Sequence, residues 1–218
     1  MVTTTLEPRV LAVRTIPNVA PSLVEALGLR PSHAAIGFLT VDQDDPTYVA
    51  ADEATKKAEV DVVFARTFYR TGPRSRLEPP TSETLVVLAG DRIGEVKAGI
   101  DATIAHLESR VSYRWADDEG CWPYLAHLVA QTGSYLSERA GIARGDALGY
   151  LKATPLEAVF GLDQALKTAD VRVGEWIEPP TPTNMGGALV TGTEADCRAA
   201  CDAFGAAVTS VYADPVRY

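Results

Sequence analysis

Residues 147–208, ALGYLKATPLEAVFGLDQALKTADVRVGEWIEPPTPTNMGGALVTGTEADCRAACDAFGAAV, decide how this chain folds. The apolar run 147–152 predicts a short strand. Behind it, Thr154-Pro155-Leu156-Glu157 reads as a capping box with proline at the first helical position, so a helix should start there. Val159, Leu162, Leu166 and Ala169 then recur at helical spacing and predict one buried face. A second strand is expected over 171–177, a Pro/Thr/Asn/Gly loop over 178–187, a third strand over 188–192 and a closing helix. Within that last helix Cys197, Cys201, Phe204, Val208 and Val211 are spaced by four, three, four and three, which marks both cysteines as small core residues.

The same pattern stands earlier in the chain. Asp52, Ala54, Lys56, Ala58, Val60 and Val62 are identical to Asp163, Ala165, Lys167, Ala169, Val171 and Val173 at a constant offset of 111. That is six identities in eleven positions, where composition alone gives roughly one. Gly37-Phe38-Leu39 lines up with Gly149-Tyr150-Leu151 at an offset of 112, and Lys97-Ala98…Asp101 with Arg198-Ala199…Asp202 at 101. The offset drops because the first copy carries the longer loop, RTGPRSRLEPPTS at 70–82. Self-similarity of this kind signals repeated structure. With two copies the reading is a pair of duplicated domains.

Around these landmarks, 10–16 alternates as a strand and ends at Pro17-Asn18, and 21–29 reads as a short helix. A strand over 35–41 mirrors 147–152. Asp45-Pro46 should open a helix running to Ala58, with Asp45 as N-cap. Strands are expected over 60–69 and 84–89. The helix 93–107 should bury Ile93, Val96, Ile100, Ile104 and Leu107. In the second copy VSYRWA, from Val111, should repeat the strand role of 10–16, and 123–138 should form a longer version of the short first helix. The tail 212–218 reads as terminal and weakly ordered.

Composition bounds the function. Apolar residues make up 46% and charged residues 22% of 218 residues, as in an ordinary packed protein. The net charge of −9 and the lack of a basic-aromatic stripe argue against a nucleic-acid partner. The three cysteines have no zinc-ligand spacing, Cys121 sits in a turn beside Gly120, and His33, His106 and His127 are scattered. No nucleophile–base pair, phosphate-binding glycine loop or carboxylate dyad follows from spacing, so neither catalytic residues, cofactor nor metal are expected. The first residues lack a leader pattern and no apolar run reaches the ~18 residues that span a bilayer, so a soluble cytoplasmic protein without a membrane partner is expected.

The strand–helix–strand–loop–strand–helix order resembles the bacterial microcompartment shell domain. So do the Ala-Leu-Gly-Tyr-Leu and Ala-Ile-Gly-Phe-Leu runs and the segments AADEATKKAEVDVV, AGIDATIAHLE, AHLVAQTGSYLSERAGI, PLEAVFGLDQALKTADV and CRAACDAF. An extra strand and helix ahead of each core is similar to the circularly permuted form, as in the tandem shell proteins of ethanolamine-utilisation microcompartments. The resemblance implies an α/β (α+β) protein of two ferredoxin-like permuted shell domains, 1–109 and 110–218, with antiparallel sheets covered by helices. It further implies a non-enzymatic homotrimer in which six domains form a pseudohexameric tile, packed edge to edge with other shell proteins. A gated central pore and an acidic small pore per subunit would pass small metabolites such as ethanolamine. For the small pore the resemblance points to Asp44, Asp45, Glu83, Tyr113 and Glu157. For the central pore it points to the loops 70–82 (Arg70, Arg74, Arg76, Pro79, Pro80) and 178–187 (Pro180, Thr183, Asn184).

Each of these residues also has a plainer reading. Asp45 and Glu157 are placed to cap helices, a role compatible with a pore because a helix start keeps a carboxylate ionised. Asp44 has no capping duty in this reading and is the most informative of the three acids. Tyr113 suits a core as well as a cation site. The two loops could be ordinary surface loops; against that stands their matching place in both copies, with Gly186-Gly187 giving the second a flexible exit. A rival class, a soluble trimeric regulator binding a small ligand between α/β subunits, would use the same duplicated units. It predicts discrete trimers, whereas the tile predicts sheets, arrays or particles.

Overall fold

The structure is a computed structural model that describes residues 5–68, 83–117 and 119–216. Its elements in chain order are β1 (Thr5–Leu6), β2 (Val10–Ile16), α1 (Pro21–Ala26), β3 (Ala35–Val41), α2 (Asp45–Lys57), β4 (Asp61–Phe68), β5 (Glu83–Gly90) and α3 (Ile93–Ser109). They continue with β6 (Tyr113–Trp115), β7 (Pro123–Val129), α4 (Ser134–Ala140), β8 (Ala147–Ala153), α5 (Pro155–Thr168), β9 (Arg172–Ile177), β10 (Gly186–Gly192) and α6 (Glu194–Ala213). The chain forms two compact units. An N-terminal unit comprises Pro8–Val111 together with Gly133–Leu136, and a C-terminal unit comprises the first residues through Glu7, Ser112–Thr132 and the chain from Ser137 on.

The N-terminal unit is built on an antiparallel sheet of order β2-β3-β5-β4. Its strand β3 alternates side chains across the sheet. Ile36 and Phe38 meet Leu23, Val24 and Leu29 on the face carrying α1. On the other face a Cβ at Gly37 would lie 2.5 Å from Ile100 and 2.7 Å from Val96, so glycine is what lets α3 lie close on the sheet. Helix α2 packs beside α3, and its Ala50, Ala51 and Ala54 are fully buried.

The C-terminal unit repeats this plan. Its strands run β7-β8-β10-β9, extended at the edge by β6 and β1, again antiparallel. Gly149 takes the role of Gly37: a Cβ there would lie 2.9 Å from Val190 and 3.2 Å from the Cys201 Sγ of α6. Phe204, fully buried, lies against Gly161 of α5, among Leu151, Leu162, Ala165 and Val208. The fold class expected from the resemblance is the one observed: mixed α/β, with antiparallel sheets and helices packed on them.

Several local expectations are corrected. Residues 123–138 are not one helix. Pro123–Val129 is strand β7, paired with β8 from Leu125↔Lys152 to Val129↔Leu148, and the helix starts only at Ser134. Gly133 would have stood inside the longer helix, and the available edge of β8 decides the conformation of a short apolar run that local pattern leaves open. It is therefore β7, not VSYRWA, that plays the part of β2; β6 lies further out, against β1. The buried face of α5 is Ala158, Gly161, Leu162 and Ala165, while Val159 and Leu166 are exposed. Along α3, Ile93 and Ile104 are half-buried, and the deeper positions are Val96, Gly99, Ile100, Thr103 and Leu107. The tail is docked as far as Tyr212, which stacks on Trp122 at 5.1 Å between ring centroids. Gly186 and Gly187 belong to β10 and make no flexible exit: a Cβ on Gly187 would meet the Leu151 carbonyl oxygen at 1.9 Å.

Candidate functional site

The polar run Asp42-Gln43-Asp44-Asp45 connects β3 to α2, and all four residues are buried. Asp42 accepts from the main-chain N–H of Arg9 at 2.7 Å and from its Nε at 2.8 Å. The Thr47 hydroxyl donates to the Gln43 carbonyl at 2.5 Å, and Tyr48 N–H donates to the Asp44 carbonyl. These bonds draw Asp45 into the first turn. Asp44, not Asp45, therefore occupies the N-cap position, and its side chain makes no capping bond. The Tyr48 hydroxyl lies 2.7 Å from the Thr67 hydroxyl, which in turn is 3.3 Å from that of Thr84. Burial first, and then the charges of Asp44 and Asp45, hold the Tyr48 hydroxyl above its ordinary range.

Of the other expected small-pore residues, Glu83 is half-buried at the start of β5, opposite Phe68 of β4, in the same unit as Asp44 and Asp45. Tyr113 and Glu157 belong to the C-terminal unit. Tyr113 is fully buried in β6, opposite Leu6. Glu157 does not close a capping box. Thr154 directs its hydroxyl to the Glu157 carboxylate at 2.5 Å, and Tyr212 OH lies 2.7 Å from the same hydroxyl. Thr154 makes no side-chain capping bond, unlike Thr193, whose hydroxyl accepts from Asp196 N–H at the start of α6. Burial, and behind it the Glu157 charge, pushes the Tyr212 hydroxyl up to about 12.

The loop 178–187 is a self-bonded turn. Thr181 N–H donates to the Met185 carbonyl at 3.0 Å, Asn184 N–H to the Thr181 carbonyl at 2.8 Å, and Met185 N–H to the Thr181 hydroxyl at 3.2 Å. The Thr183 hydroxyl lies 3.1 Å from that of Thr181, and Asn184 takes the left-handed conformation with φ of 57°. Pro180 and Asn184 are exposed at its surface. Arg70, Arg74, Arg76, Pro79 and Pro80 lie outside the described residues.

One feature of α2 escapes sequence reading. Asp52, fully buried, accepts from Gly133 N–H at 2.6 Å and Leu136 N–H at 2.8 Å, while the Thr55 hydroxyl accepts from Ser134 N–H at 2.9 Å. Gly133 is required there, because a Cβ would lie 2.1 Å from the Thr55 hydroxyl oxygen. Burial raises the Asp52 carboxyl above its ordinary value, against the pull of the Leu136 and Gly133 amides and Lys56. The match to Asp163 marked Asp52 as part of a repeat, but nothing local tells the buried copy from the exposed one.

Two antiparallel sheets of the same strand order, each with its helices, define a duplicated shell-type α/β protein. The BMC domain model matches residues 35–114. The chain is 47% identical over 213 residues to the bacterial microcompartment shell protein EutL of Clostridium perfringens, covering 98% of both chains. It is 44% identical over 212 residues to EutL of Escherichia coli, covering 97% of this chain and 96% of that one. The crystal structure of the ethanolamine utilization protein EutL from Leptotrichia buccalis superposes with a TM-score of 0.94 at 45% identity, over the whole of both chains. The chain belongs to the EutL family of bacterial microcompartment shell proteins, the shell proteins of ethanolamine utilisation. Its role is that of a structural shell protein, and the rival regulator finds no support among these relatives. Among the described residues no helix is long and apolar enough to cross a membrane.

Proposed function

We propose that three copies of this chain form a pseudohexameric tile, with 1–109 and 110–218 as its two permuted shell domains. The tile packs with other shell proteins in a cytoplasmic microcompartment and passes small metabolites without chemical conversion. The observation that carries this reading is the identical strand order of the two sheets, β2-β3-β5-β4 and β7-β8-β10-β9, in one chain of a shell-protein family. Three chains then supply six like units, and a heterologous contact that closes after three steps gives a discrete ring. In this reading the turn bearing Pro180, Thr183 and Asn184 borders the central pore, together with the loop 70–82. Asp44, Asp45, Glu83, Tyr113 and Glu157 line the small pore and favour a small ammonium-bearing alcohol such as ethanolamine. The buried acids at the start of α2 support a preference for cations.

Light scattering and electron microscopy of the purified protein test the assembly. Trimers with six-lobed projections that associate into sheets are expected; monomers or dimers at all concentrations would refute it. Calorimetric titration with ethanolamine tests the small pore. Asp44→Asn should stay folded and bind more weakly, since it removes charge and keeps shape at a side chain without a capping bond. Equal binding by both forms would exclude Asp44 as a ligand.

A further inference from the structure

Every residue of β8 is buried, and one of them is a lysine. Lys152 lies between Leu151 and Ala153, both part of the core with α5 and α6, so its own side chain points to the other face of the sheet. The residue is only 2% exposed. Leu125 of β7 pairs with it on one side and Gly187 of β10 on the other. The ladder between β6 and β7 joins Arg114 to Tyr124, and Tyr124 belongs to the α5–α6 core. One residue further along that ladder, Tyr113 and Leu125 therefore take the opposite face, the face of Lys152. Leu6, Tyr113, Leu125 and Lys152 form a row across β1, β6, β7 and β8. Tyr113 and Lys152 stand two strands apart in it, about 10 Å.

A lysine is almost never fully buried unless its ammonium meets a carboxylate. The strands of this sheet hold one acid, Glu175 of β9, and Arg139 occupies both its oxygens, at 2.9 Å and 3.0 Å, with its guanidinium over the Tyr150 ring. Of the buried carboxylates among the described residues, Asp42 is held by Arg9, and Asp52 by the Gly133 and Leu136 amides with Lys56 at 3.9 Å. The other two are Asp44 and Asp45, 2% and 0% exposed, the acids that the small-pore reading groups with Tyr113. We propose that Lys152 is the resident cation of the small pore. Its ammonium is held by Asp44 and Asp45, so a small ammonium-bearing metabolite enters only by displacing it. The inference rests on the small-pore reading and adds the residue that sets its affinity. Two ammonium groups at one pair of carboxylates repel each other, and away from bulk water that repulsion is strong. The lysine is tethered at the site, which gives it a high effective concentration. A free ligand of the size of ethanolamine has few atoms with which to compete. The small pore of this chain is therefore a weak site as long as Lys152 fills it.

Calorimetric titration with ethanolamine separates the inference from the reading beneath it. Lys152→Met keeps the length of the side chain and removes its charge. It should bind ethanolamine at least about tenfold more tightly than wild type, because one like charge at contact distance outweighs that margin. Adding Asp44→Asn to the same chain should abolish the gain, and ethylene glycol, which carries no charge, should not distinguish the forms. Equal or weaker ethanolamine binding by Lys152→Met would overturn the inference and leave the small-pore reading standing. If neither form binds, that reading falls, and a double-mutant cycle in urea unfolding decides the role of Lys152. Coupling of about tenfold in the unfolding constant between Lys152→Met and either Asp44→Asn or Asp45→Asn supports the pairing, and additive effects overturn it. Should Lys152→Met fail to fold, Lys152→Gln takes its place in both measurements.

Discussion

Asp52 offers the sharpest perturbation of the fold around the candidate site. Asp52→Ala removes the acceptor of two buried amides, Gly133 N–H and Leu136 N–H, held at 2.6 Å and 2.8 Å. Each unpaired buried donor costs about 1–3 kcal/mol, so the gross loss is about 2–6 kcal/mol. Part of that is returned, because the carboxylate removed was itself poorly solvated, as its raised pKa records. A net loss of about 2–4 kcal/mol is expected. Asp52→Asn keeps one acceptor and loses about half as much. The pH dependence has a definite sign. The folded-state pKa lies above the unfolded value, so the folded chain holds the proton more tightly. Ionisation of Asp52 therefore weakens the fold as pH rises from the unfolded value through the folded one. Asp52→Asn lacks this contribution, so its deficit relative to wild type widens on acidification through that window. Urea unfolding at matched oligomeric state gives the energies, and hydrogen exchange gives the location: protection should fall at Gly133 and Leu136 before it falls in α6. The repeat-equivalent Asp163→Ala, whose side chain is 50% exposed in an i,i+4 ion pair, should cost about 0.5 kcal/mol or less within the chain itself. Equal effects at Asp52 and Asp163, or unchanged exchange at the two amides, would refute the reasoning.

Gly149→Ala should destabilise by about 1–3 kcal/mol, since its Cβ would press on Val190 and on Cys201 in a filled core; thermal melting that matches wild type would show that α6 moves away at no cost. Phe204→Ala, in the same cluster, should cost about 3–5 kcal/mol in chemical denaturation. Thiol labelling at pH 8 should find one fast site, the exposed Cys121. Burial pushes the Cys201 thiol up to about 12 and also raises Cys197, so both should label only on unfolding. Fast labelling of two or three thiols in native protein would count against the packing of α6.

Sequence by itself determined the duplication, the placement of most strands and helices, and the family. The reason is that repeat identity, helix-start chemistry and apolar periodicity are local properties of the chain. Gly37 and Gly149 were visible as a recurring motif because two close helix–sheet contacts each demand a residue without a side chain. What was decided only in three dimensions is which of two equivalent surfaces is covered. Pro123–Val129 became a strand because β8 had an edge to be paired. The Thr154 hydroxyl met Glu157, three residues on, and Tyr212, far along the chain, and made no capping bond. The stripe Asp45, Val49, Asp52 and Thr55 is buried while its repeat, Leu156, Phe160, Asp163 and Leu166, faces outward. Burial depends on what packs against a face, and the same Asp in two related helices carries no record of whether a distant turn will supply the amides that let it leave water.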